Sequence, residues 1–256
     1  MKRISRIWLT SRPALLCAVV TLALTSASVA AASDGPGPFG VTAVADVTSP
    51  NKRIGALFDA DRVGKLAGGH FCSASVVHSP QRTLIVTAAH CVDEDNGDLV
   101  FVPGYRDGKA PYGVWKVGKR FLPDGWAKKQ SEDSDIAFVH LEEVGGKRIE
   151  DVVGGNRFAP GVATGATAVT VTGYPDSREA PITCTNRPAP QGRTQQRIDC
   201  PEFTGGTSGS PWINGDRQIV GVLGGHDKGG TTADTSYSVV LRREAAELYR
   251  DAIGAR

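Results

Sequence analysis

The stretch Thr204-Gly205-Gly206-Thr207-Ser208-Gly209-Ser210-Pro211 sets a serine among glycines and small residues. A serine hydroxyl attacks a carbonyl well only when a base takes its proton and backbone N–H groups face the oxyanion that forms. Gly206 and Gly209 permit the tight turn and close substrate approach that this chemistry needs. On its own, such a run also describes a flexible turn. Two other segments supply the missing groups. Leu84-Ile85-Val86-Thr87-Ala88-Ala89-His90-Cys91 is an apolar, β-branched run that ends in a histidine beside a cysteine. Asp135-Ile136-Ala137-Phe138-Val139-His140-Leu141 places an aspartate at the head of another such run. Both runs read as buried strands.

Around them, short strands punctuated by turn residues recur. The first set is Gly55 to Phe58, Phe71 to Val77, Leu84 to Thr87, Leu99 to Val102, Gly113 to Val117 and Ile136 to Leu141. The second is Ala168 to Thr172, Gln196 to Cys200, Ser210 to Ile213, Gln218 to Leu223 and Ser236 to Val240. The glycine-rich stretch Gly145 to Gly165 separates the sets and reads as a linker. Many short strands with few helices predict an all-β sandwich or barrel, and the pattern alone leaves both open. One helix is expected, over Arg242 to Ile253. Leu241, Ala245, Leu248, Tyr249, Ala252 and Ile253 recur at helical spacing, with Arg242, Arg243, Glu247 and Arg250 opposite.

The ordered His90, Asp135 and Ser208 segments resemble the chymotrypsin/trypsin superfamily of serine endopeptidases, whose chain order is His, Asp, Ser. Val169-Thr170-Val171-Thr172-Gly173-Tyr174-Pro175 and the Gly205–Pro211 stretch resemble its secreted bacterial branch that includes V8-type proteases. The resemblance runs from about Ile54 to the C-terminus. It implies two antiparallel six-stranded β-barrels, residues 54–150 and 151–256, with the C-terminal helix on the second. It implies Ser208 as nucleophile, His90 as general base and then acid, Asp135 as the group that orients the imidazole, and the amides of Gly206 and Ser208 as the oxyanion hole. Asp133 is a rival for Asp135, but the strand begins directly after Asp135, as the motif requires. His70, His78, His140 and His226 are read as structural or solvent-exposed.

The resemblance also implies substrate contacts at Glu202, Thr204, Gly224 and Gly225. Glu202 stands where an aspartate selects basic side chains in trypsin-like relatives. Leu223 stands where V8-type relatives carry a glutamate-binding histidine, which argues against glutamyl specificity. Thr207 replaces the aspartate that pairs with a new N-terminus on trypsinogen activation, so Ile54 is not expected to activate the enzyme that way.

Residues 1–32 read as a secretory signal peptide. Lys2, Arg3, Arg6 and Arg12 form a basic start, Pro13 to Thr25 is apolar but too short to span a bilayer, and small residues around Ala30 suit cleavage. Residues 33–53 read as a propeptide or loose N-terminal extension, with Lys52-Arg53 as a possible processing site. The formal charge of +2 comes from 29 basic and 27 acidic residues. The signal peptide holds four of the basic ones and no acidic one, so the remainder carries 25 against 27, about −2. No basic patch suggests nucleic-acid binding. Cys17 lies in the signal peptide. The other four cysteines imply disulfides in an exported chain, with three connectivities open by count. The resemblance implies Cys72–Cys91, which leaves Cys184 with Cys200. No metal motif and no cofactor are expected. The expected protein is a secreted monomer that hydrolyses peptide bonds, with protein or peptide substrates as its partners and no membrane association after signal cleavage. Two alternatives are a catalytically silent protein-binding homologue and an esterase, although Ser210 replaces the final glycine of the esterase Gly-x-Ser-x-Gly turn.

Overall fold

The computed structural model describes residues 38–93 and 96–255. The expected signal peptide lies outside the described residues. The chain enters on β1 (Thr42–Val44) and continues through β2 (Ile54–Asp59), β3 (His70–Val76), β4 (Leu84–Thr87), β5 (Leu99–Pro103) and β6 (Trp115–Phe121). After a short helix α1 (Asp124–Lys129) comes β7 (Ala137–Leu141). Strands β2 to β7 close into a barrel in the order β2-β3-β4-β7-β6-β5, sealed by the β2–β5 ladder. All of its strands but β6 are largely buried on both faces, which explains their near-continuous apolar sequences. β6 alternates, with Trp115 and Val117 buried and Lys116 exposed. Leu57, Ala74, Val76, Ile85, Phe101 and Val139 fill the interior. Leu84, Val86 and Phe138 point outward onto the second half of the molecule, as do Ile54, Ala56 and Phe58.

The presumed linker has structure of its own. Helix α2 (Ile149–Val153) and β8 (Arg157–Phe158) lie within it. Ile149 and Val153 are buried in the first barrel's core, and β8 pairs in parallel with a strand of the second half. There follow β9 (Val169–Gly173), β10 (Ile182–Asn186), β11 (Ala189–Gln191), β12 (Gln195–Asp199), β13 (Pro211–Asn214), β14 (Gln218–Val222) and β15 (Thr235–Val239). Helix α3 (Arg243–Gly254) ends the described chain, with Ala245, Leu248 and Ala252 on its buried face. The second half is barrel-like, built from a six-stranded sheet, β1-β10-β9-β13-β14-β8, and a three-stranded sheet, β11-β12-β15. One isolated bridge, Leu223 to Ser238, joins the two sheets. Trp212, Val171, Ile182, Ile198 and Leu223 form its core.

The stretch expected to be loose is partly built into this half. β1 pairs with β10 from Thr42↔Cys184 to Val44↔Ile182, and Ala45 is buried. The sequence around it is rich in turn residues, but three extended residues suffice to occupy a free sheet edge. The expected Lys52-Arg53 processing site is also built into the fold. Residues Asn51–Arg53 form a tight helical turn, Arg53 Nη1 donates to Asn156 Oδ1 at 3.1 Å, and Ile54 is 2% exposed in the β2–β3 ladder. Burial, with Arg217 nearby, lowers the pKa of the Arg53 guanidinium. Among the described residues no helix is long and apolar enough to cross a membrane.

Candidate active site

His90 follows β4 in a single helical turn, Ala89–Cys91, at the rim of the closed barrel. The Cys72–Cys91 disulfide ties that turn to β3. Asp135 is separated from β7 only by Ile136, and β4 and β7 are paired from Leu84↔His140 to Thr87↔Ala137. The pairing brings the two rim residues together. His90 Nδ1 lies 2.7 Å from Asp135 Oδ2, and the His90 backbone N–H donates to Oδ1 at 3.0 Å. The Asp135 side chain is fully buried and that of His90 is 12% exposed. A third donor, the Gly225 N–H, reaches Asp135 Oδ2 at 2.8 Å. Buried carboxylates are costly unless hydrogen-bonded, and three donors satisfy this one. A carboxylate only accepts, so the imidazole proton sits on Nδ1 and leaves Nε2 as the basic nitrogen. Asp133, the rival, instead accepts from Gln195 Nε2 at 3.0 Å.

Ser208 lies on the loop between β12 and β13 and is partly exposed. Its carbonyl accepts from the Ser73 N–H at 2.7 Å. Ser73 adjoins Cys72, so Ser208 is fixed to the same rim of the first barrel as His90. The Ser208 hydroxyl donates to the Lys228 carbonyl at 3.3 Å, not to the imidazole. Lys228 lies in a turn, His226–Gly229, in which Asp227 and Lys228 are both left-handed. Glu132 holds that turn, accepting from the Asp227 N–H at 2.9 Å and pairing with His226 Nδ1 at 3.3 Å.

Gly206 has φ +87, and a Cβ there would meet the Asp176 nitrogen and Tyr174 oxygen at 2.5 Å, so only glycine fits. The Gly205 carbonyl accepts from the Asp176 N–H at 2.8 Å. In a trans peptide the carbonyl and the following N–H point opposite ways, so the Gly206 N–H is aimed away from Asp176. Among the described residues neither the Gly206 nor the Ser208 amide donates to a protein acceptor.

Other expected residues sit differently. Glu202 is not an unpaired carboxylate at a pocket floor. It lies on an exposed turn at φ +70, with its side chain 49% exposed and ion-paired to Arg178. Gly224 and Gly225 stand beside the site, but each packs inward. A Cβ on Gly224 would lie 2.8 Å from Asp135 Oδ2, and one on Gly225 would strike the Gln195 amide. Thr204 is exposed, and its carbonyl accepts from the Thr207 N–H and hydroxyl. Thr207 is buried at 1% exposure, in accord with its lack of charge. Cys184 is bridged to Cys200, the pair left once Cys72 joins Cys91. The Cys72, His90 and Cys91 group offers no thiolate because its sulfurs form the other disulfide. A hollow of about 240 Å³ lined by Tyr105, Tyr112 and Tyr174 lies apart from these residues.

Fold and site define the class as a serine endopeptidase of the two-barrel kind. A model of the trypsin-like peptidase domain matches residues 72–222, more than half of the chain, and the chain belongs to that family. Its fold matches protease Anisep from Arthrobacter nicotinovorans with a TM-score of 0.70 at 27% identity, covering 81% of this chain and 98% of that one. It also matches the thermostable serine protease AL20 from an extremophilic microorganism, with a TM-score of 0.70 at 25% identity, covering 82% and 100%. A Glu endopeptidase at 18% identity shares the fold with a TM-score of 0.65, covering 86% of this chain and 99% of that one. No curated protein sequence matches the chain.

Proposed function

We propose that this endopeptidase cleaves peptide bonds with Ser208 as nucleophile, His90 as base and acid, and Asp135 as the orienting carboxylate. The observation that carries the reading is the buried Asp135, bonded at once to His90 Nδ1, the His90 amide and the Gly225 amide. His90 Nε2 takes the Ser208 proton as the hydroxyl attacks the scissile carbonyl. The Gly206 and Ser208 amides receive the negative charge on the carbonyl oxygen. His90 then delivers its proton to the departing amine, leaving an acyl ester on Ser208, and water releases the acid by the same steps in reverse. Substrates are proteins or peptides.

The Ser208 hydroxyl bonded to Lys228 favours a second reading, a silent homologue that binds protein ligands in the same cleft. Catalytic hydrogen bonds are often unformed before substrate binds, so the first reading stands ahead. An organophosphonate probe separates the two. Covalent labelling of the wild type and none of Ser208→Ala supports catalysis, whereas an unlabelled wild type that still binds peptide supports the silent reading.

We also propose that the chain is secreted. The apolar, basic N-terminus supports this, as do two disulfides, which persist in oxidising compartments. N-terminal sequencing of the protein from culture medium tests it. Glu202, already paired with Arg178, is not offered as a selector of basic side chains.

A further inference from the structure

We propose that Ser73, in the first barrel, is a positioning residue for the oxyanion-binding amides of the second half. The inference rests on the assignment of Ser208 as nucleophile. Ser73 is fully buried, and its polar atoms face the junction. Its hydroxyl donates to the Gly206 carbonyl at 3.0 Å and accepts from the Tyr174 N–H at 2.9 Å. Its backbone N–H donates to the Ser208 carbonyl at 2.7 Å. Its own carbonyl accepts from the Thr87 hydroxyl at 2.8 Å, which fixes Ser73 to β4, the strand that leads to His90.

The consequence follows from peptide planarity. The Ser208 N–H belongs to the peptide joining Thr207 to Ser208. The plane before it carries the Gly206 carbonyl, and the plane after it carries the Ser208 carbonyl. Ser73 holds both of those oxygens. The Gly206 N–H belongs to the plane whose oxygen Asp176 holds, and Gly206 itself joins that plane to the one held by the Ser73 hydroxyl. The Gly206 amide therefore lies in a held peptide plane and the Ser208 amide between two held planes, and one residue of the other barrel, through its hydroxyl and its backbone N–H, sets the spacing. The same hydroxyl, through Tyr174, anchors the Tyr174–Asp176 segment against which Gly206 packs. No other side chain bonds the Gly206 carbonyl among the described residues.

Loss of one direct oxyanion donor lowers kcat by about a hundred- to a thousandfold. Loss of a group that only aims the donors should cost less, about ten- to a hundredfold. The experiment measures kcat and KM for a peptide amide, together with inhibition by a peptide boronate and by its boron-free parent peptide. Wild type, Ser73→Ala, Ser73→Thr, Ser73→Cys and Ser208→Ala are compared. The expected result for Ser73→Ala is a fall in kcat of that size with KM within about twofold. Boronate affinity should fall in parallel, because its tetrahedral adduct uses the amides, while parent-peptide affinity stays constant. Ser73→Thr should restore most of the loss. Unchanged kcat in folded Ser73→Ala would overturn the proposal, as would equal weakening of boronate and parent peptide. If Ser73→Ala does not fold, Ser73→Cys, which keeps the shape and weakens the donor, is read by the same criteria. A Ser208→Ala enzyme that turns over would remove the nucleophile assignment and this proposal with it. An inactive Ser208→Ala beside a fully active Ser73→Ala would remove this proposal alone.

Discussion

The two halves of the molecule hold their share of the site in different ways. His90 and Asp135 sit at the rim of a ring closed by a full β2–β5 ladder, just beyond the ends of two strands, β4 and β7, paired directly to each other. Ser208 sits on a loop of a half whose two sheets meet at one bridge. The first half shapes its part through its own ladders. The second borrows rigidity through the Ser73 N–H and the Ser73 hydroxyl, and adds its own contact between the Gly205 carbonyl and Asp176. The strand pair, completed by the Gly225 N–H, orients His90 and Asp135, whereas Ser208 on its loop is held by anchors from outside that loop.

The largest expected effects break the link between the halves. Ser208→Ala and His90→Ala should each lower kcat by several orders of magnitude, and the double variant should be little worse, because the groups act as a unit. Asp135→Asn should lower kcat by about four orders, since the imidazole proton would then favour the wrong nitrogen. Peptide hydrolysis by purified protein checks all four variants, and additive losses would contradict a shared mechanism.

Gly224→Ala tests the point where the second half touches the rigid couple. The new methyl would meet Asp135 Oδ2 at 2.8 Å and the Ala88 Cβ at 3.1 Å, neither of which is the end of a flexible side chain. Overpacking of this kind costs about 1–3 kcal/mol. We expect a lower thermal midpoint and a loss in kcat, and a variant matching wild type in both would show that the rim yields more than its ladders suggest.

The disulfides sharpen the comparison. They span 19 and 16 residues, so the chain-entropy argument assigns each about 3 kcal/mol. Replacing Cys72 and Cys91 by serine should cost about as much stability as replacing Cys184 and Cys200. Only the first pair adjoins both His90 and Ser73, so only its loss should also lower kcat in the folded enzyme. Denaturant midpoints alongside kinetics separate the two effects. Smallest of all is Glu202→Ala. An exposed ion pair contributes about 0–1 kcal/mol, and the ratio of kcat/KM between substrates cut after Arg and after Ala should not change. A selective loss on the Arg substrate would return Glu202 to the primary pocket.

Much of this was legible in the sequence. The β-branched run before His90 is β4 to the residue, and the apolar run behind Asp135 is β7, so the site's acid–base half could be read locally. Asp135 and Asp133 were distinguished by where the strand starts, and the structure gives them different partners. The C-terminal helix was placed to within a residue at each end, because its apolar spacing is regular. β1, β8, β10 and β11 were missed. β1 has only three residues and forms because β10 offers it an edge, while β10 itself is laid against β9, pairings absent from local composition. Glu202 is paired with Arg178, 24 residues earlier, a partner that its own neighbourhood in the sequence does not announce. Ser73 carried one signal, its place beside Cys72, but its partners lie 101 and 133 residues away, and no spacing announces them.

The burial of Ile54 bears on how long such a molecule survives. A protease in solution meets copies of itself, so its own peptide bonds are open to attack in trans. Proteolysis needs the chain to leave its ladder, so a bond within a strand is cut only as often as that strand opens. The Arg53–Ile54 bond enters β2, which is paired to β3 on one side and β5 on the other, and the Arg53 side chain is held by Asn156. Opening it means opening the barrel that carries His90 and Asp135, so this point of attack is exposed only in a molecule that has already lost the geometry for catalysis.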